Sequence, residues 1–171
     1  MFRRTGKPRR YVFVHGVCMH LTNNEEQTLA STLSPYEGTE VVQQMETYTQ
    51  HGTVSTLEHC KSAARLSLWF CRRLHLRVNT NALLVGALLH DFYMYDWHGS
   101  GWTHSYLHPE CARVNAVAQY DVDEPTQHVI RCHMWPLGIT HVPRTKEAIV
   151  VNIADKIVSL RETLLMRRER K

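Results

Sequence analysis

The sequence lacks the features that mark several large functional classes. Its five cysteines are odd in number and never occur as Cys-x-x-Cys, which argues against a disulfide framework and a cysteine-based zinc site. No run approaches the roughly 20 apolar residues of a membrane span. The apolar stretch behind the basic start, Tyr11 to Val14, is too short for a signal peptide, so a cytoplasmic protein is expected. There is no Gly-x-x-x-x-Gly-Lys loop and no His-Glu-x-x-His pair, which removes P-loop nucleotidases and zincin-type proteases. Internal repeats, low-complexity tracts and the aromatic-rich basic face of a single-strand binder are missing too.

What is present is unevenly spread. Half of the twenty Lys and Arg lie in residues 1–10 and 161–171, leaving ten basic residues against fourteen acidic ones between them. The net-negative middle gives no broad electrostatic funnel for an anion; the basic ends read as solvated tails, set against contact with nucleic acid or a phosphate-rich surface. A chain of 171 residues, 43% of them hydrophobic, suffices for one core without staples. The twelve histidines need a separate account.

Apolar spacing predicts an all-α single domain. Residues 1–23 form a basic N-terminal arm, in which Tyr11 to Val14 is a short strand or an extended segment. Residues 24–171 form the helical domain, with a helical pattern from about Tyr36 onward. Thr53 to Leu76 places Ala63, Leu66 and Phe70, and likewise Ala64, Leu68 and Cys71, at three- and four-residue spacings, with Leu57 two turns before Ala64. Asn79-Thr80-Asn81 caps the next helix, which runs to about Asp91 and is apolar on every side, as a central helix should be. A loop over Tyr93 to Leu107 then leads to a helix opened by Pro109 and ending near Tyr120. Asp123-Glu124-Pro125 opens a short helix ended near Trp135-Pro136, and Lys146 to about Met166 makes the last long one.

The most informative pair is His90-Asp91, at the end of the apolar run that begins at Ala82. Burying a carboxylate without a partner is costly enough to neutralise it, and a metal ion is an efficient remedy. Further inward polar groups sit on other segments. His59 shares a helix face with Ala63, Leu66 and Phe70, and Asp155 shares one with Ala148, Val151 and Val158. His133 lies one turn beyond Val129 and Ile130, and His108 precedes Pro109. A lone inward histidine is usually a hydrogen-bonded core residue. Inward groups on five separate segments together point to a metal.

This arrangement resembles the HD-domain superfamily of metal-dependent phosphohydrolases, over about residues 50–165. Glu58-His59-Cys60, Gly86-Ala87-Leu88-Leu89-His90-Asp91 and Ala154-Asp155-Lys156-Ile157 carry the likeness. Thr103-His104 through His108-Pro109, and His133-Met134-Trp135-Pro136-Leu137, look like a bacterial subgroup of predicted hydrolases. The resemblance implies His59, His90, Asp91 and Asp155 as the core metal set. It also implies His108 and His133 in the places of the two extra histidines of dinuclear members, with Asp91 bridging. His104 competes with His108; the proline after it favours His108. Mixed imidazole and carboxylate ligands suit one or two ions of Fe, Mn, Co or Ni, with Mg a further candidate.

The expected activity is hydrolysis of a phosphomonoester or phosphoanhydride of nucleotide type by a metal-activated hydroxide. Asp91 holds the metal. Asp96, in the loop beyond it, is a candidate general acid or base, set against a plain turn residue. Lys156 is a candidate for offsetting phosphate charge in binding and catalysis, set against a simple ion pair. His51 is a candidate for the substrate side of the pocket, and Cys60 and Cys132 are expected to be packing residues. The expected partner is a small phosphorylated molecule, with neither nucleic acid nor membrane. Two alternatives stand beside this: a di-iron HD-type oxygenase, and a non-catalytic nucleotide- or nucleic-acid-binding module with a structural metal.

Overall fold

A computed structural model gives the fold and describes residues 12–14, 17–98 and 101–169; residues 1–11, which hold the basic residues of the expected arm 1–23, lie outside that range. Among the described residues the all-α expectation holds: seven helices and two small hairpins. β1 (Val12–Val14) pairs antiparallel with β2 (Val17–Met19), so the strand reading of this stretch is the one realised.

The helical part begins before Tyr36, with α1 (Asn23–Glu37). The Thr22 hydroxyl accepts from the Glu25 amide while the Glu25 carboxylate accepts from the Thr22 amide at 2.7 Å, a reciprocal cap that starts a helix without help from periodicity. Leu29 and Leu33 are its buried apolar residues and Pro35 sits in its last turn, which is why spacing alone missed it. α2 (Glu40–Gln43) and a short 3-10 turn lead to β3 (Thr49–His51) and β4 (Val54–Ser55). This second, unexpected hairpin turns at Gly52, whose φ of 65° suits a residue without a Cβ.

α3 (Thr56–Arg73) starts where the Ser55 hydroxyl accepts from the Glu58 amide at 3.2 Å. α4 (Thr80–Leu89) is capped by Asn79, and every residue from Ala82 to Leu89 is buried. It is the central helix, packed by α1, by α3 and by three later helices: α5 (Gly101–Tyr120), α6 (Glu124–Cys132) and α7 (Lys146–Glu169). The Asp123 carboxylate caps α6, with Pro125 in its first turn.

One boundary differs in a way that matters for the site. α5 begins at Gly101, not at Pro109, which lies inside the helix. Proline gives up one backbone hydrogen bond there, and packing overrides that preference. His108, Ala112 and Ala116, four residues apart, form a buried stripe whose small members let α5 approach the core.

Candidate metal centre

His59 near the start of α3, His90 and Asp91 at the end of α4, His108 on α5, His133 at the end of α6 and Asp155 on α7 converge, each no more than 7% exposed. Asp91 lies in the middle. Its Oδ2 is 3.9 Å from His59 Nε2 and 3.3 Å from His90 Nε2. Its Oδ1 is 3.3 Å from His108 Nε2 and 3.5 Å from His133 Nε2. Asp155 Oδ1 accepts from His59 Nε2 at 3.1 Å and stands 3.7 Å from His90 Nε2. Two groups of ligand atoms result, His59–His90–Asp91 and Asp91–His108–His133.

The backbone orients the imidazoles. Nδ1 of His90, His108 and His133 donates to the carbonyls of Ala87, His104 and Ile130 at 2.8, 2.9 and 2.7 Å. A carbonyl only accepts, so each Nδ1 carries the hydrogen and each Nε2 faces the centre. His59 is held instead by a carboxylate, with Glu162 Oε2 at 2.9 Å from its Nδ1. This is the carboxylate–histidine pairing that orients metal ligands and raises their basicity.

Burial and neighbouring charge oppose each other throughout the centre. Burial alone would suppress a charge on His59, but hydrogen bonds to Asp155 and Glu162 outweigh it and raise its pKa to about 10. Burial would likewise raise the carboxyls, yet His90 and His108 hold Asp91 well below the usual carboxylate range, and His59 and His90 do the same for Asp155. Burial, followed by His90 and His108, pushes His133 down to about 3, so it is neutral with its Nε2 lone pair turned inward. His90 Nε2 and Asp91 Oδ1 are buried without a hydrogen-bond partner. Unpartnered buried atoms are costly. Here both are donors of the kind a divalent cation takes, so the residues fit a metal.

A supporting network, absent from the sequence reading, surrounds Asp91. Gln50 of β3 donates through Nε2 to Asp91 Oδ2 at 2.7 Å, and its Oε1 accepts from the Tyr93 hydroxyl at 2.7 Å. Glu162 was also missed, although it follows Asp155 by seven residues and so shares its helix face. Gln50 and Tyr93 carry no periodic signal; a hairpin and a loop place them.

The other sequence candidates sit outside the two groups. His104 stacks between Trp97 and His108, with centroids 5.2 and 4.5 Å away, and meets the Tyr95 hydroxyl at 3.0 Å. His108 is thus the histidine brought to Asp91, although the helix start expected at Pro109 is not what puts it there. His51 is half-buried, its ring centroid 5.9 Å from that of His59. The Asp96 side chain is 72% exposed and accepts from the His98 amide at 3.0 Å, as a turn residue does. Lys156 Nζ donates to the His133 carbonyl at 2.9 Å and to the Asn152 carbonyl at 3.3 Å. Cys60 and Cys132 are buried in the hydrophobic core. No helix among the described residues is long and apolar enough to cross a membrane.

Comparison with known proteins gives one finding. The family model described as HD domain matches residues 56–160, more than half of the chain, from α3 into α7. No curated protein and no solved structure gives a significant match.

Proposed function

We infer that this chain, which belongs to the HD domain family, is a metal-dependent phosphohydrolase with a centre for two divalent ions. The observation that carries this reading is the position of Asp91, one oxygen facing His59 and His90 and the other facing His108 and His133. His59, His90, Asp91 and Asp155 would hold one ion, and Asp91, His108 and His133 the other; Fe, Mn, Co or Ni suits the donors, with Mg a further candidate. Such ions supply Lewis acidity that makes water a nucleophile near neutral pH and offsets charge on phosphoryl oxygens.

The protein's own groups set the conditions for that chemistry. Asp155 has the most exposed carboxylate of the centre, with its side chain 10% exposed, so it stands closest to an incoming phosphomonoester or phosphoanhydride. Ser159 donates to the same Asp155 oxygen that His59 meets, at 3.2 Å, and fixes its direction. His51, beside His59, stands on the substrate side in this reading; burial holds its pKa below the ordinary value, so it is a neutral hydrogen-bonding group. Lys156 braces the backbone of His133, and Asp96 is engaged in its own turn. Neither is assigned a chemical role. A nucleotide-type substrate is proposed on family grounds alone.

The test is metal analysis of protein purified without added metal, then a phosphoester panel under each divalent ion. Asp91→Ala should lose the metal and all turnover while circular dichroism keeps its helical signal. Phosphoester turnover by metal-free Asp91→Ala protein would overturn the reading.

A further inference from the structure

The centre has an asymmetry that the ligands themselves do not explain. Asp91 must divide its oxygens between two groups of imidazoles, yet a carboxylate turns easily about its Cβ–Cγ bond. One protein hydrogen bond fixes it: Gln50 Nε2 on Oδ2 at 2.7 Å. Oδ1 receives none and faces His108 and His133.

Gln50 is itself oriented. Its amide oxygen accepts from the Tyr93 hydroxyl at 2.7 Å and lies 3.3 Å from the Thr56 hydroxyl. A flipped amide would set Oε1 against Asp91 Oδ2, two acceptors in contact, and would withdraw the acceptor from Tyr93. Tyr93 is 3% exposed and Gln50 9%, so water does not readily replace either partner. A phenol keeps its proton near neutral pH, so the Tyr93 hydroxyl is a donor to the amide oxygen. The direction of the amide is transmitted from a hydroxyl whose hydrogen-bond partners are Gln50 and Thr56.

We propose that Gln50, oriented by Tyr93, is the positioning residue that reserves Asp91 Oδ1 for the His108–His133 half of the centre and so sets the affinity for a second ion. The bond has two consequences. It withdraws electron density from Oδ2, the oxygen facing a half already supplied with Asp155. It also leaves Oδ1 as the single carboxylate oxygen on the other half, whose remaining donors are both imidazoles. Gln50 thus favours loading of both halves over a tighter grip on one. The inference rests on the two-ion reading above but not on the reaction assigned to it.

The experiment is a calorimetric titration of full-length, metal-free protein with Co(II), which reads binding without substrate. Wild-type protein should take two ions. Gln50→Leu should keep the affinity of the first ion and weaken the second by about 10- to 100-fold, the usual effect of removing a group that orients a ligand. Tyr93→Phe should weaken the second ion in the same sense but by less, because the amide stays in place. Three results would overturn the proposal: a wild-type protein with a single site, a Gln50→Leu protein that binds both ions as before, or equal loss at both sites. The last would show that Gln50 only supports the pocket as a whole. Should Gln50→Leu fail to fold by circular dichroism, Tyr93→Phe decides alone, and an unchanged second affinity there sinks the idea. The titration does not read phosphoester turnover, so a failure of the hydrolase reading leaves this outcome separate.

Discussion

Replacing Gly86 by alanine should damage the centre through packing alone. A Cβ built on Gly86 falls 2.6 Å from Val129 Cγ1 and 2.7 Å from Val129 Cβ. Carbon atoms settle at about 3.5–4.0 Å, so close to 1 Å must be found. Rotating the valine relieves only the first contact, because its Cβ is fixed by the backbone. Helices α4 and α6 must therefore move apart. Gly86 lies one turn before His90 on α4, and Val129 one turn before His133 on α6. The displacement reaches the His133–Asp91 distance, now 3.5 Å, with little helix in between to absorb it. In an open helix Gly→Ala would stabilise by about 1 kcal/mol; overpacking instead costs about 1–3 kcal/mol. For a domain of this length that corresponds to a Tm lower by about 2–4 °C per kcal/mol. Thermal unfolding in chelator reads the first effect, and Co(II) titration reads the second, a selective loss of the second ion. The swap Gly86→Ala with Val129→Gly should recover much of both. A Gly86→Ala protein that melts higher than wild type and binds two ions unchanged would refute the argument.

The remaining expectations are smaller. His59 is protonated in the metal-free centre because its pKa is raised to about 10, and a metal needs it neutral. Apparent affinity for the first ion should fall about tenfold or more for each unit by which pH drops below that value; titration at several pH values tests this, and a flat profile contradicts it. Glu162→Gln leaves His59 hydrogen-bonded to one carboxylate instead of two, so fewer protons should leave as that ion binds near neutral pH. Calorimetry in buffers of different ionisation enthalpy counts them, and an unchanged count would exclude the role given to Glu162. Glu25→Ala removes half of the α1 cap and should cost about 1 kcal/mol by denaturant unfolding. Burial works to raise the Glu25 carboxyl, but Thr22 and then Arg73 outweigh it and lower its pKa. Its contribution is therefore fully present above the unfolded value of about 4.3 and is lost as pH falls through the lower folded value. A difference between wild type and Glu25→Ala that persists at pH 2 would count against this.

The parts of the molecule that were legible in the amino-acid order are those where one chemical signal dominates. His90-Asp91 stood out because ionisable groups terminate an apolar helix, and His59 and Asp155 because helical spacing turns them inward. The position of α1 was not legible: its start depends on a two-residue cap and its burial on two leucines. Pro109 misled for a physical reason, since its local preference for a helix start is overridden by the packing of His108, Ala112 and Ala116. Gln50 was out of reach altogether, because its place beside Asp91 follows from a hairpin whose strands are three and two residues long.

The reach of the centre along the chain has a mechanical meaning. His59 and Asp155 are 96 residues apart and meet at 3.1 Å; His108 and His133 are 25 apart and meet at 2.8 Å. The cysteines at 60, 71, 111 and 132 are all free. A bound ion would therefore act as the cross-link that disulfides provide elsewhere, closing loops whose entropy the unfolded chain otherwise keeps. Unlike a disulfide it is reversible, and its strength follows concentration: an ion present at a thousand times its dissociation constant adds about 4 kcal/mol. Resistance to heat and to proteolysis would then report how much metal the surroundings supply.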